Sequence, residues 1–170
     1  SKDMLEIING QEYLKVDDGT QVWCLFDRDR SDNDGKDTSF NDSIFTAESR
    51  GIRVAWSNDD FELWILLHFE DVDPKDPAYC HREKYYAQLT EIVKQWAAND
   101  PSLAQKVNNP RFSYKEAMKT KDRFTQYTLQ AMKGKTHTAI SRSKALEAFH
   151  EDPRKTPHQK APCSMVHHLV

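Results

Sequence analysis

Long apolar runs are missing from this chain of 170 residues. No stretch approaches the roughly 20 apolar residues that a membrane-spanning helix requires. No signal-peptide pattern opens the chain, so neither a membrane nor a secretory route is expected. Cysteine is scarce. Cys24, Cys80 and Cys163 are odd in number, far apart and without a CxxC pair, a usage that predicts reduced thiols in a cytoplasmic protein. Internal repeats and low-complexity tracts are absent, which excludes a repeat architecture. Hydrophobic residues make up only 38% and charged residues 30%, so a well-solvated surface is expected. The length still suits one domain with an adequate core.

The net charge of -3 hides an asymmetry. Residues 1–110 carry 12 Lys and Arg against 22 Asp and Glu, whereas residues 111–160 carry 12 against 5. An acidic metal centre beside a surface for a polyanion would have this distribution. So would charged helix faces that merely cluster.

"VWCLF" (22–26) is a short apolar run bounded by polar segments, which predicts a buried strand over 21–26. Residues 38–50 predict a helix with Phe40, Ile44, Phe45 and Ala47 on one face, stopped at Gly51. "IRVAWS" (52–57) predicts a second buried strand. Strand, three-turn helix and strand form a βαβ unit with parallel strands, so the fold class is α/β. In "NDDFELWILLHF", Asp59 and Glu62 have capping-box spacing before a nearly continuous apolar helix. Further helices are expected over 79–98, 113–132 and 137–150, the second opening on Ser113 with Glu116 as a capping box. A proline-marked tail leads to "SMVHHLV". This divides the chain into an α/β core over 1–78 and a helical, basic region over 79–170.

In a parallel α/β sheet, ligands bind outside the carboxyl ends of the strands. Asp27 and Asp29 hold that position for the first strand, and Asn58, Asp59 and Asp60 for the second. Residues two apart in an extended chain point the same way, so Asp27 and Asp29 can converge on one cation while Arg28 points elsewhere. Oxygen ligands without His or Cys favour Mg²⁺ or Mn²⁺. An ordinary acidic turn is the competing reading. Calcium of the EF-hand type is excluded, because neither start, Asp27 or Asp29, places Gly at position six and Glu at position twelve. Asn58, Asp59 and Glu62 are candidates to stand near the metal, with helix capping as the other role for Glu62.

"VWCLFDRDR", "GIRVAWSNDDFELWILLHF" and the C-terminal "APCSMVHHLV" together resemble the RloB-like family over most of the chain. That family is associated with bacterial restriction and defence loci and is related to the TOPRIM fold of topoisomerases, primases and OLD-type nucleases. The resemblance implies a TOPRIM-like parallel sheet flanked by helices, with an α-helical C-terminal region. It also implies Mg²⁺-dependent phosphodiester chemistry with Asp27 and Asp29 as catalytic metal ligands. One feature departs from the pattern. TOPRIM sites also use a Glu after a first core strand, and "SKDMLEIINGQEYLK" reads as helical, which leaves Glu6 and Glu12 without that role. The expectation is a fragment lacking its N-terminal strands.

Lys115, Lys119, Lys121, Arg123, Lys133 and Lys135, interleaved with Tyr114, Phe124 and Tyr127, are candidates to grip phosphates and stack bases. Several of these aromatics are expected to face the core instead. His68 is expected to be a hydrogen-bonded core residue. His167 and His168 suit packing or substrate contact better than metal, because neighbouring residues rarely chelate together. Two classes follow: a metal-dependent nuclease acting on RNA or DNA in anti-phage defence, or a non-catalytic TOPRIM-like module. The expected partners are nucleic acid, a partner defence subunit or a second copy of the chain.

Overall fold

The computed structural model describes residues 5–17, 19–28 and 35–170. Asp29 and residues 30–34 lie outside the described residues.

The chain opens on a hairpin rather than the expected helix. Strands β1 (Leu5–Ile8) and β2 (Gln11–Leu14) pair antiparallel, with Ile8 opposite Gln11. Asn9 and Gly10 between them both have positive φ, +52° and +82°. Asn-Gly is the dipeptide that a two-residue hairpin turn selects, because its twist matches that of the flanking strands. That local preference overrides the weak helical pattern around it. Glu6 and Glu12 sit exposed on this hairpin.

The expected βαβ unit is present. Strand β3 (Trp23–Asp27) runs through helix α1 (Gly35–Ser49) to β4 (Arg53–Asn58), and the strands pair parallel with Trp23 opposite Arg53 and Asp27 opposite Ser57. Strand β5 (Cys163–Ser164) then pairs antiparallel with β4 on its other side. The three-stranded sheet is therefore mixed, in the order β3-β4-β5, and only its β3–β4 pair is parallel. Its edge position leaves β3 half-buried rather than fully buried, with Leu25 exposed. Phe40 and Ile44 of α1 pack on Trp56 and Cys163, while Phe45 points to solvent, contrary to its expected place on the buried face.

The larger core centres on α2 (Glu62–Leu67), all six residues of which are buried. Leu63, Leu66 and Leu67 join Tyr85, Leu89 and Val93 of α3 (Arg82–Trp96), Leu103 of α4 (Pro101–Val107) and Leu146 of α8 (Thr136–Phe149) in one apolar cluster. This core crosses residue 78, where the sequence suggests a change of region. Each buried Leu contributes about 1.5–3 kcal/mol relative to exposure, so α2 is fixed from several sides. His68, just beyond α2, is buried with Nδ1 2.9 Å from the Trp64 carbonyl, as expected of a core histidine. No helix among the described residues is long and apolar enough to cross a membrane.

The helix expected over 113–132 is broken. It comprises α5 (Tyr114–Ala117), a turn at Met118–Thr120, α6 (Lys121–Arg123), a π-helical turn at Phe124–Thr128 and α7 (Leu129–Met132). The Ser113 hydroxyl accepts from the Glu116 amide and caps the start, as its spacing suggests. Thr120 is extended, with ψ of 145°, and the break leaves Lys119 outside any helix.

Candidate active site at the carboxyl ends of the parallel strands

Parallel pairing sets Asp27, the last residue of β3, opposite Ser57, and the chain beyond β4 brings Asp60 and Glu62 to the same end. The three carboxylates line a cleft of about 270 Å³ together with Phe61, Tyr114, Lys119 and Phe124. Asp60 is the centre of the group. It lies against Asp27 on one side and Glu62 on the other, and accepts a short hydrogen bond from the Tyr86 hydroxyl of α3. Lys119 closes the mouth, with Nζ 2.8 Å from Glu62 Oε1 and 4.0 Å from Asp60 Oδ2. Its ammonium also lies 5.1 Å from the centre of the Tyr86 ring. Arg82 reaches Asp60 at 3.3 Å from behind.

Burial decides the electrostatics. Withdrawal from water pushes Asp27 up to about 7, helped by the negative charge of Asp60 and a hydrogen bond shared with it. Burial likewise pushes Glu62 up to about 7, reinforced by its contact with Asp60 and opposed by Lys119. Asp60 goes the other way. Burial alone would raise it, but hydrogen bonds with Glu62 and Tyr86 and the charges of Lys119 and Arg82 hold it below the ordinary carboxylate value. Near neutral pH the group is therefore one firmly ionised carboxylate flanked by two that readily exchange a proton. Carboxylates pushed apart in this way are a feature of acid–base and cation sites.

The neighbouring candidates have other work. Asn58 donates from Nδ2 to the carbonyls of Pro157 and His158, at 3.0 and 2.9 Å, and accepts from Arg28 at 3.2 Å. Asp59 is gripped by Arg82 through both oxygens, at 3.0 and 2.9 Å, and accepts the Arg82 amide. Asp59 is not the cap of α2: the N-cap position falls on Phe61, which makes no side-chain cap, and Asp59 is held by a residue 23 positions away. Arg28 turns from Asp27 toward α1, where its guanidinium meets Asp37 at 2.7 Å.

Of the basic residues, only Lys119 lines the cleft. Lys115 stands 5.8 Å from the centre of the Tyr86 ring, Lys135 lies over Phe69, and Arg123 donates to the Ala117 carbonyl. Lys121 and Lys133 are exposed. Tyr114 and Tyr127 are buried, as expected of part of that set, while Phe124 forms a wall of the cleft. Sequence reasoning leaves Asp60 and Tyr86 out of the candidate list. The D-F-E spacing of Asp60 and Glu62 is a visible signal for the first, but Tyr86 joins the cleft only through the packing of α3.

As a donor set the cleft suits a hard cation, since its ligands are carboxylate oxygens alone. The carboxylates contact one another through Asp60 but do not bring one oxygen each within 4.8 Å of the other two, and Lys119 is drawn onto two of them, so they form no closed cage. Mg²⁺ asks for no such cage, because it keeps waters and takes one or two carboxylates plus substrate oxygens.

The chain is an α/β protein whose carboxylates lie at the carboxyl ends of the parallel pair β3–β4, the position at which open α/β sheets commonly take ligands. A model of the RloB-like protein family matches residues 2–170. The chain belongs to the RloB-like family. No curated protein and no solved structure matches it.

Proposed function

We propose that this protein is a metal-dependent nuclease that hydrolyses phosphodiester bonds of RNA or DNA, serving bacterial defence against phage. The observation that carries the reading is the convergence of Asp27, Asp60 and Glu62 at the carboxyl ends of β3 and β4 beside a single lysine. The sequence resemblance to TOPRIM nucleases supports it, as does the adjacent Asp29 in the same D-x-D segment. Asp27, Asp29 and Asp60 would hold Mg²⁺ or Mn²⁺. When bound, the ion would offset charge developing on the phosphate during displacement.

The chain's own groups have defined work. Asp60 stays ionised and anchors the cluster through Tyr86 and Arg82. Glu62, poised near neutrality, can give or accept a proton at an ester oxygen. Lys119, with its side chain partly exposed at the mouth, is positioned to meet a phosphate oxygen. Lys115, Lys121, Arg123, Lys133 and Lys135 supply sequence-independent attraction to the nucleic-acid backbone.

The alternative is a non-catalytic module that binds nucleic acid or a partner subunit of a defence system. It is favoured by Lys119, whose ammonium already neutralises Glu62 and approaches Asp60, as a built-in substitute for a metal would. Labelled RNA and DNA incubated with the complete protein and Mg²⁺ or Mn²⁺ separate the two. Cleavage that disappears in Asp27→Asn and Asp60→Asn supports the nuclease. Binding without cleavage under all these conditions supports the module.

A further inference from the structure

At the other end of the sheet, β3 begins at Trp23 and β4 at Arg53. These residues line a second cleft of about 490 Å³ with Trp56, Met165, Glu147 and His168. After β5 the chain makes a 3-10 turn, Val166–His168, that brings two consecutive imidazoles to one carboxylate of α8. His167 Nε2 lies 2.9 Å from Glu147 Oε2, and His168 Nε2 lies 3.1 Å from Glu147 Oε1. One ligand atom from each residue falls within 4.8 Å of the other two, the only such His, Cys, Asp or Glu group among the described residues. Adjacent residues rarely chelate one ion together, yet here both rings reach the same carboxylate, because Glu147 offers each its own oxygen.

The hydrogen bonds fix which ring nitrogen of His167 carries the proton. The Ser143 hydroxyl lies 2.6 Å from the Ser164 carbonyl, which can only accept, so the serine's proton is committed there. Towards His167 Nδ1, 3.0 Å away, Ser143 Oγ can then act only as an acceptor, and the Ser164 carbonyl, at 3.2 Å, is a second acceptor. Nδ1 must therefore be the N–H. In the neutral ring, Nε2 then presents a bare lone pair to a carboxylate oxygen at 2.9 Å. Two electron-rich atoms at that distance repel unless a positive centre sits between them. An N–H held by a carbonyl and a hydroxyl, with the opposite nitrogen free, is how proteins orient a metal-binding histidine.

We propose that Glu147, His167 and His168 form a binding site for a borderline divalent transition metal, Zn²⁺ by ligand type, open to the cleft that Glu147 and His168 line. Two imidazoles and one carboxylate make a three-ligand zinc set with a remaining position for water or a ligand. The side chain of His167 is 1% exposed, whereas those of Glu147 and His168 are 36% and 47% exposed, so one buried ligand is fixed and two are reachable. The ion would clamp the C-terminal turn to α8. It is independent of the carboxylate cleft, whose oxygen donors prefer a harder cation.

The test is a Co²⁺ titration of the EDTA-treated, dialysed protein, read by visible absorption and followed by competition with Zn²⁺. The expected result is one equivalent of Co²⁺ giving the visible bands of a four- or five-coordinate nitrogen–oxygen centre, displaced by one equivalent of Zn²⁺. Zn²⁺ should also raise the melting temperature. His168→Ala and Glu147→Gln change part-exposed side chains, so the fold should survive, as circular dichroism would verify. Both should lose the bands and weaken Zn²⁺ binding by about 100-fold. Absence of the bands, only millimolar affinity, or binding unchanged in both variants overturns the proposal. So does an NMR spectrum with both His167 nitrogens protonated at pH 7.5 and unmoved by Zn²⁺, since a proton would then fill the metal's place.

Discussion

The two ends of the small sheet accommodate their carboxylates differently. At the carboxyl end, three acids crowd together and are balanced by Lys119, Arg82 and Tyr86. At the amino end, one acid, Glu147, faces two imidazoles, one of them locked by Ser143 and a backbone carbonyl. The first end is hard, proton-exchanging and equipped with its own cation. The second is borderline in ligand character and contains a lone pair aimed at an anion. Asp60 and Glu62 are buried whereas Glu147 is 36% exposed. With their different partners, the first end would, as proposed above, prefer Mg²⁺ or Mn²⁺ and the second Zn²⁺.

The comparison breaks first in activity. Asp27→Asn or Asp60→Asn should lower metal-dependent cleavage by 100-fold or more, an order-of-magnitude expectation for losing a metal ligand. His168→Ala should leave cleavage intact. If instead His168→Ala abolishes cutting and the aspartate variants do not, the ends have been assigned the wrong way round. Next comes the shared support. Leu66→Ala, in the fully buried α2, should cost about 2–5 kcal/mol, measured by urea denaturation. It should weaken the carboxylate end most, since Glu62 is the first residue of the same helix.

Lys119→Met sharpens the comparison at the carboxyl end alone. Without its ammonium, Mn²⁺ binding should tighten several-fold by calorimetry, because a competing cation is gone. Stability in EDTA should fall by about 1 kcal/mol, a modest figure because the lysine is partly solvated. Unchanged Mn²⁺ affinity would show that Lys119 does not occupy the ion's place.

The smallest effects lie in pH. Asp27 titrates near 7 in the fold against an ordinary value of 3.8. Its favourable contribution is complete below 3.8 and is lost as pH rises through about 7. Asp27→Asn should therefore match the wild type near pH 4 and exceed it at pH 8. Partial solvation reduces the gain to about 1 kcal/mol, or about 3 °C in melting temperature. The buried His150 has the opposite sign. Burial holds it below its usual 6.5, so its contribution is present at neutral pH and is lost as pH falls through that region. His150→Leu should make the acid-side decline in stability shallower, by less than the Asp27 effect.

What was legible in the sequence were features decided over a few residues. The apolar runs of β3, β4 and α2, the position of Asp27 at a strand end and the core role of His68 all follow from local pattern. Lys119 was not legible as part of the acidic group. It sits there because the periodic stretch 113–132 breaks at Thr120, and nothing in the periodicity marks the break. Asp59 reads as a helix cap until Arg82, 23 residues on, offers it two charged hydrogen bonds. The Asn9–Gly10 hairpin was legible in principle, since that dipeptide is a strong turn signal, but the apolar spacing around it obscured it.

Ser57 and Ser164 meet through their hydroxyls across 107 positions of chain, and that separation sets a clock. A ribosome adding about 5–20 residues per second needs roughly 5–20 seconds between making the two. Throughout that interval β4 lacks its β5 neighbour and Asn58 lacks the two tail carbonyls it binds. A nascent chain therefore carries Asp27, Asp60 and Glu62 on an unfinished sheet, and the acidic cleft acquires its final support only after Ser164 has been added. Under the nuclease function proposed above, synthesis itself would hold back the activity over that interval.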